Sequence, residues 1–268
     1  MTSLTAAICA ALETGDPFAK AMATRKLARD WRLGRLDFTF DTPMPDRPAR
    51  PERPELLPPN RMPKRGRGGS ERSRIALWHS IAHIEFVAID LALDMAGRFG
   101  GEMGAKFTGD FLKVAADEAS HFMMIARHLR GMGAGYGDLP AHDGLWESAQ
   151  ATAHDVSARL AVVPMVLEAR GLDATPMMIE RVRAFGDERG ARLLERILDD
   201  EIDHVRIGAT HFAALAAARR IDVDELWISL VSRHFGGRVK PPFNDSARLK
   251  AGLSRDAYAA LALDKIDT

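Results

Sequence analysis

Asp117-Glu118-Ala119-Ser120-His121 and Asp200-Glu201-Ile202-Asp203-His204 are the two stretches whose reading decides the fold. In each, a glutamate precedes a histidine by three positions, which puts both side chains on one face of a helix. A Glu-x-x-His pair on each of two helices, with one more inward glutamate from each of two others, is how helical bundles hold a pair of iron or manganese ions. Two glutamates fit the remaining places. Glu85 sits in the apolar run Ile81-Ala82-His83-Ile84-Glu85-Phe86-Val87, and Glu168 in Val162-Val163-Pro164-Met165-Val166-Leu167-Glu168-Ala169. An ionised carboxylate in such surroundings is costly unless it is paired or ligates a cation. Glu85 precedes Glu118 by 33 residues, and Glu168 precedes Glu201 by the same 33. One shift of 83 residues therefore superposes all six positions, together with Asp117 on Asp200 and His128 on His211. A helical hairpin repeated twice produces such a register. A lone Glu-x-x-His is weak evidence, because charged helices generate it by chance and use it as a surface pair. The whole set points to Glu85, Glu118, His121, Glu168, Glu201 and His204 as metal ligands. Surface pairing, or a relic that no longer binds metal, is the competing reading.

Outward from these stretches the chain reads as helices. Residues 3–34 suggest two, with Asp16-Pro17 as a cap followed by a first-turn proline and Gly34 as a stop. From Phe38 to about residue 70, Pro43, Pro45, Pro48, Pro51, Pro54, Pro58, Pro59 and Pro63 exclude regular structure. This stretch ends in a basic run, Arg61, Lys64, Arg65 and Arg67; whether it wraps the helices or floats free is not decided by its composition. Long helices are expected at 71–98, ending near Gly100-Gly101, at 108–131, at 145–171 with a bend at Pro164, and at 189–218. Shorter ones are expected at 176–187, 222–235 and 254–263. Four long helices without a convincing strand make an all-α antiparallel bundle. The expected division is 1–70 for the N-terminal helices and proline-rich segment, 71–220 for the bundle, and 221–268 for a C-terminal helical extension.

The chain has 268 residues, 46% hydrophobic and 28% charged, enough for a sizeable core. Its zero formal net charge gives no global reason to expect a nucleic acid or a membrane partner. Cys9 is its single cysteine, which excludes an internal disulfide framework and fits a reducing cytoplasm. No leader-like N-terminus is evident, and no stretch approaches the roughly 20 apolar residues that span a bilayer. Met165, Phe122 and Val205 are placed to wall a dry pocket beside the metals. His128 and His211 share the ligand face two turns on and read as packed side chains. His79 and His83 have an i, i+4 spacing, but His83 points away from Glu85. Tyr136 and Tyr258 fall outside the four ligand helices.

These residues resemble the ferritin-like superfamily and, more closely, a bacterial family known as domain of unknown function 455. The likeness runs from Thr24-Arg25 through Lys64-Arg65, His83-Ile84-Glu85, Asp117-Glu118-Ala119-Ser120-His121 and Glu168-Ala169-Arg170-Gly171-Leu172-Asp173. It implies a ferritin-like four-helix bundle with two metal ions on the six residues above: iron first, manganese or a mixed pair next. Similarity to di-iron oxygenases implies that Asp117 reaches His204 and Asp200 reaches His121, orienting the imidazoles. The activity implied first is an oxidoreductase that activates dioxygen, an oxygenase or oxidase acting on an unidentified small molecule, a modified tRNA nucleoside being one candidate. Its partners would be dioxygen or peroxide and a substrate or reductant, with RNA weakly supported through the basic run, no membrane, and a homodimer compatible. Metal handling is the alternative: ferroxidase activity, peroxide removal or storage. A non-catalytic helical protein, its metal structural or absent, is the third reading.

Overall fold

Helices make up most of the described chain, residues 2–63 and 69–263 of a computed structural model. Among those residues the strands are two-residue pieces, β1 (Thr2–Ser3) and β2 (Leu36–Asp37), paired in parallel. Lys64, Arg65 and Arg67 of the basic run lie outside the described residues. The chain divides into two compact units, Met1–Trp146 and Glu147–Thr268.

The first unit holds α1 (Leu4–Leu12), α2 (Pro17–Arg32), α3 (Glu71–Met103) and α4 (Ala105–Gly131). Asp16 caps α2 by accepting from the backbone of Ala19 at 2.7 Å, with Pro17 in the first turn. α3 and α4 pack along each other as a hairpin, α2 lies on α4, and α1 lies on α3. The expected stop at Gly100-Gly101 is not used. α3 runs through it to Met103, and the turn is made at Gly104, whose φ of +89° suits glycine. Gly100 serves close packing instead: a Cβ there would lie 2.4 Å from Thr108 Oγ1 and 2.8 Å from the Phe40 ring. By length and composition α3 could cross a membrane, contrary to the expectation that no stretch comes close. Yet most of its apolar stretch is buried inside the protein, the signature of a core helix.

The proline-rich segment is laid against this unit. Ala49 donates to Leu12 O at 2.9 Å, Arg98 to Pro45 O at 3.1 Å, and Leu57 to Ala141 O at 2.8 Å. A buried charge network pins it further. Asp90 of α3, fully buried, accepts from Lys20 at 2.7 Å and from Arg50; Arg50 and Arg47 then reach Asp143 at 3.2 and 2.5 Å. Lys20 also donates to Ala49 O at 2.9 Å. Every charge in the set has an opposite neighbour, which is the condition for burying it.

The division between the units falls within α5 (Gly144–Ala151). The second unit continues with α6 (Val156–Val162), a π-helical segment (Val163–Glu168), α7 (Ala169–Ala184), α8 (Glu188–Arg219), α9 (Val223–His234), α10 (Asp245–Lys250) and α11 (Arg255–Leu263). The expected single helix over 145–171 is broken between α5 and α6. Asp155 starts a new helix by accepting from Ser157 N at 2.7 Å. Buried Arg159 turns back to Thr152 Oγ1 at 3.0 Å and to Ala149 O at 2.6 Å, a carbonyl that also accepts from the backbone of Thr152 at 3.1 Å. Conversely, the expected gap before residue 176 is absent, and α7 runs through Gly171 and Pro176. Pro176 has no N–H for the carbonyl four residues back, Leu172. The Asn244 side chain supplies the missing donor at 3.2 Å. Arg248 fixes the same region through two 2.8 Å bonds to Asp173, and Trp227 Nε1 anchors α9 on Ala161 O at 3.1 Å.

Candidate metal centre

In the first unit the α3–α4 hairpin brings Glu85 from one helix against Glu118 and His121 from the other. All three are buried, at 5%, 1% and 1% exposure. His121 Nδ1 lies 3.2 Å from Glu85 Oε2 and 3.6 Å from Glu118 Oε2. The ligand atoms of the three residues are all within 4.8 Å of one another, a spacing from which one cation can be held. Two carboxylates and an imidazole form a hard-to-intermediate donor set suited to divalent iron, manganese or zinc. Phe86 and Phe122, the next residues after Glu85 and His121, are fully buried and pack with ring centroids 5.4 Å apart.

In the second unit α8 brings together Glu201 and His204, both buried, with His204 Nδ1 3.5 Å from Glu201 Oε2. This repeats the Glu118–His121 geometry and follows from the shared three-residue spacing. Glu168 ends the π segment and is half-buried. The wider turn there departs from the α-helix, so Glu168 is rotated from the direction an unbroken helix would give it. Met165 on that segment and Val205 on α8 are both buried. Pro164 is pressed against α8: a Cβ on Gly208 would come within 2.4 Å of Pro164 Cβ. Asp117 and Asp200 hold cations one turn back on their own helices, Lys113 at 2.7 Å and Arg196 at 4.0 Å, with their side chains partly exposed. His128 packs its ring 4.4 Å from that of Trp78.

The model of a family described as "Protein of unknown function (DUF455)" matches residues 13–259, a span that contains all six expected ligands. The chain belongs to this family. A protein of Haemophilus influenzae described as "Uncharacterized protein" is 43% identical over 226 residues, 82% of this chain and 78% of its own length. No solved structure matches.

The first unit of this DUF455 chain also carries a group that the spacing of residues did not single out. The loop after α4 folds back so that Tyr136 packs on Phe86 at 5.5 Å and on Phe122 at 5.2 Å between centroids. Its hydroxyl lies 2.9 Å from His83 Nδ1, and His83 Nε2 lies 3.1 Å from His142 O. Four residues earlier, His79 Nε2 accepts from the backbone of Gly137 and Leu139 at 3.0 and 3.4 Å. The i, i+4 histidines are therefore loop anchors. Burial pushes His83 down to about 4 and Tyr136 upward, so both are neutral near pH 7.

Proposed function

We propose that this protein is a di-metal carboxylate oxidoreductase of ferritin-like architecture that uses dioxygen on an organic substrate or reductant. In this reading the repeated hairpins supply the four long helices of one bundle, and Glu85, Glu118, His121, Glu168, Glu201 and His204 together hold two ions, iron first and manganese next. The buried Glu85, Glu118 and His121 cluster carries the reading, because carboxylates placed that deep need a cation to balance them. Two further observations support it. The same residue types recur 83 positions later, again with a Glu–His pair at about the same separation. The π segment ends on the glutamate that the repeat singles out, and such segments are frequent at functional sites.

The donor set fits the ions. Four carboxylates match the charge of two divalent cations, and the two imidazoles suit iron, manganese or zinc better than magnesium or calcium. The single thiol, Cys9, is on α1 and donates toward Pro43 O, so no thiolate competes. Bound iron would supply the electrons that dioxygen needs. This chain's own part is to fix the ligands on rigid helices and to keep water away; Phe86 and Phe122 do so on the first hairpin.

Metal analysis of the full chain, followed by anaerobic titration with ferrous iron and exposure to oxygen, tests the proposal. The parent should bind about two ions and consume oxygen, and Glu118→Ala and Glu201→Ala should each lose dinuclear loading, since either loss strips a carboxylate from the shared set. Equal metal content in the parent and both variants would sink it.

A further inference from the structure

A half-open groove of about 970 Å³ lies between α2 and α4 within the first unit. Its α2 side carries Arg25, Arg29 and Arg32, at i, i+4 and i+7 and so on one helical face. All three are exposed. Among the described residues Arg25 and Arg32 meet no carboxylate, and Arg29 reaches only Asp30, at 4.0 Å. The other charges of the groove are already matched: Lys26 with Asp30 at 2.5 Å, Lys113 with Asp117 at 2.7 Å, and Asp110 with Lys106 at 2.7 Å. Two guanidinium groups, Arg25 and Arg32, therefore stand without a carboxylate among the described residues, and Arg29 between them has only a long contact to one that Lys26 and Arg35 already hold. Beside them Trp31, half-buried, turns the N–H edge of its indole to Gly109, where a Cβ would lie 2.9 Å from Nε1 and 3.9 Å from the ring atoms on either side. The missing side chain at Gly109 is what lets the indole lie against α4.

We propose that this groove binds a nucleotidyl group, with its phosphates on Arg25, Arg29 and Arg32 and its base against Trp31. Guanidinium forks match phosphate oxygens two at a time, which exposed arginines on one face, none held closely by a carboxylate, are suited to do. Helical rise separates the three by a few ångströms along the axis, so phosphates strung along the groove meet them in turn. An indole offers the flat surface on which bases of any identity stack. The volume is at the upper end of the roughly 300–1,000 Å³ range for small-ligand sites. The α4 face involved carries Ala116 and Ser120 rather than Glu118 and His121, so the inference does not depend on the metal reading.

The nucleotidyl group could belong to a free nucleotide or to a single strand of RNA, and the experiment separates the two. The full chain is titrated with ADP by calorimetry and with a short fluorescein-labelled single-stranded RNA by anisotropy, at several salt concentrations. Arg25→Gln/Arg29→Gln/Arg32→Gln should weaken the bound probe at least tenfold and flatten its salt dependence by about two units of log–log slope. Trp31→Ala should weaken it about tenfold, and Trp31→Phe should restore most of that loss. Arg206→Gln, on α8, serves as the charge control and should change nothing, while circular dichroism checks that each variant is folded. Saturation by ADP identifies a free nucleotide, and binding of the RNA alone identifies a strand. The proposal is overturned if the parent binds neither probe, or if the arginine variant or Trp31→Ala binds as the parent does.

Discussion

His79 holds the loop over α3 through an unprotonated nitrogen, since Nε2 accepts two backbone N–H groups. Burial lowers its pKa below the ordinary value, whereas in the unfolded chain it titrates near ~6.5. As pH falls the unfolded state takes the proton first. The stability from this contact is complete above about pH 6.5 and is lost as pH drops through the lower folded value. Urea unfolding between about pH 7.5 and 5 should therefore show a smaller acid loss in His79→Gln than in the parent, because glutamine keeps an acceptor without titrating there. Parallel curves would contradict the role. At this scale the sequence was uneven as a guide. Glu118 with His121 and Glu201 with His204 were legible as same-face pairs because helix geometry fixes them locally. Tyr136 was not, because a loop carries no period, and its place depends on contacts with Phe86 and His83, about fifty residues distant in the chain.

Among the elements, the long helices α3, α4 and α8 follow from apolar periodicity and caps. Two of the differences share a cause, a glycine or proline that reads as punctuation but that the packing uses otherwise: Gly100 within α3, and Pro176 within α7. Gly100 continues α3 because Phe40 and Thr108 occupy the space of a side chain. Gly208, inside α8 as expected, shows the same close packing more sharply, since Pro164 of the π segment fills the place of its Cβ. Gly208→Ala should lower the unfolding free energy by about 1–3 kcal/mol despite alanine's better helix propensity, as overpacking outweighs the roughly 1 kcal/mol gain. Chemical denaturation of the two proteins measures it. A stabilised variant would mean that the π segment yields easily. The break between α5 and α6 had no periodic signal at all. It rests on Asp155 and on a buried arginine, Arg159, whose partners lie outside its own helix.

For the molecule as a whole, a proline-rich stretch that composition left undecided proves to be bound down by ordinary means. Its backbone pairs with α1 and with the loop near Ala141, and its Arg50 pairs with a buried carboxylate on α3, Asp90. Composition could exclude long helices and central strands there, leaving one 3-10 turn at Pro59–Arg61, but it carries no information about which carbonyls a non-repeating chain will meet. The 83-residue repeat, by contrast, is a property of the entire chain that single-residue reasoning could reach, because it is written in spacing alone.

Leu172, Pro176 and Asn244 show how one local defect binds distant stretches into a shared fate. A donor deleted by proline is replaced from far along the chain, so each substitution is tolerable only in the company of the other. Asn244→Asp keeps the oxygen that caps α10 but gives up the donor to Leu172. It should cost about 1 kcal/mol more in the parent than in a Pro176→Ala background, where alanine's own N–H satisfies that carbonyl. Additive unfolding energies in the four-protein cycle would argue against this dependence. If they are not additive, the tail beyond α9 is a working part of helix α7, and trimming it would expose a fault that the proline introduced.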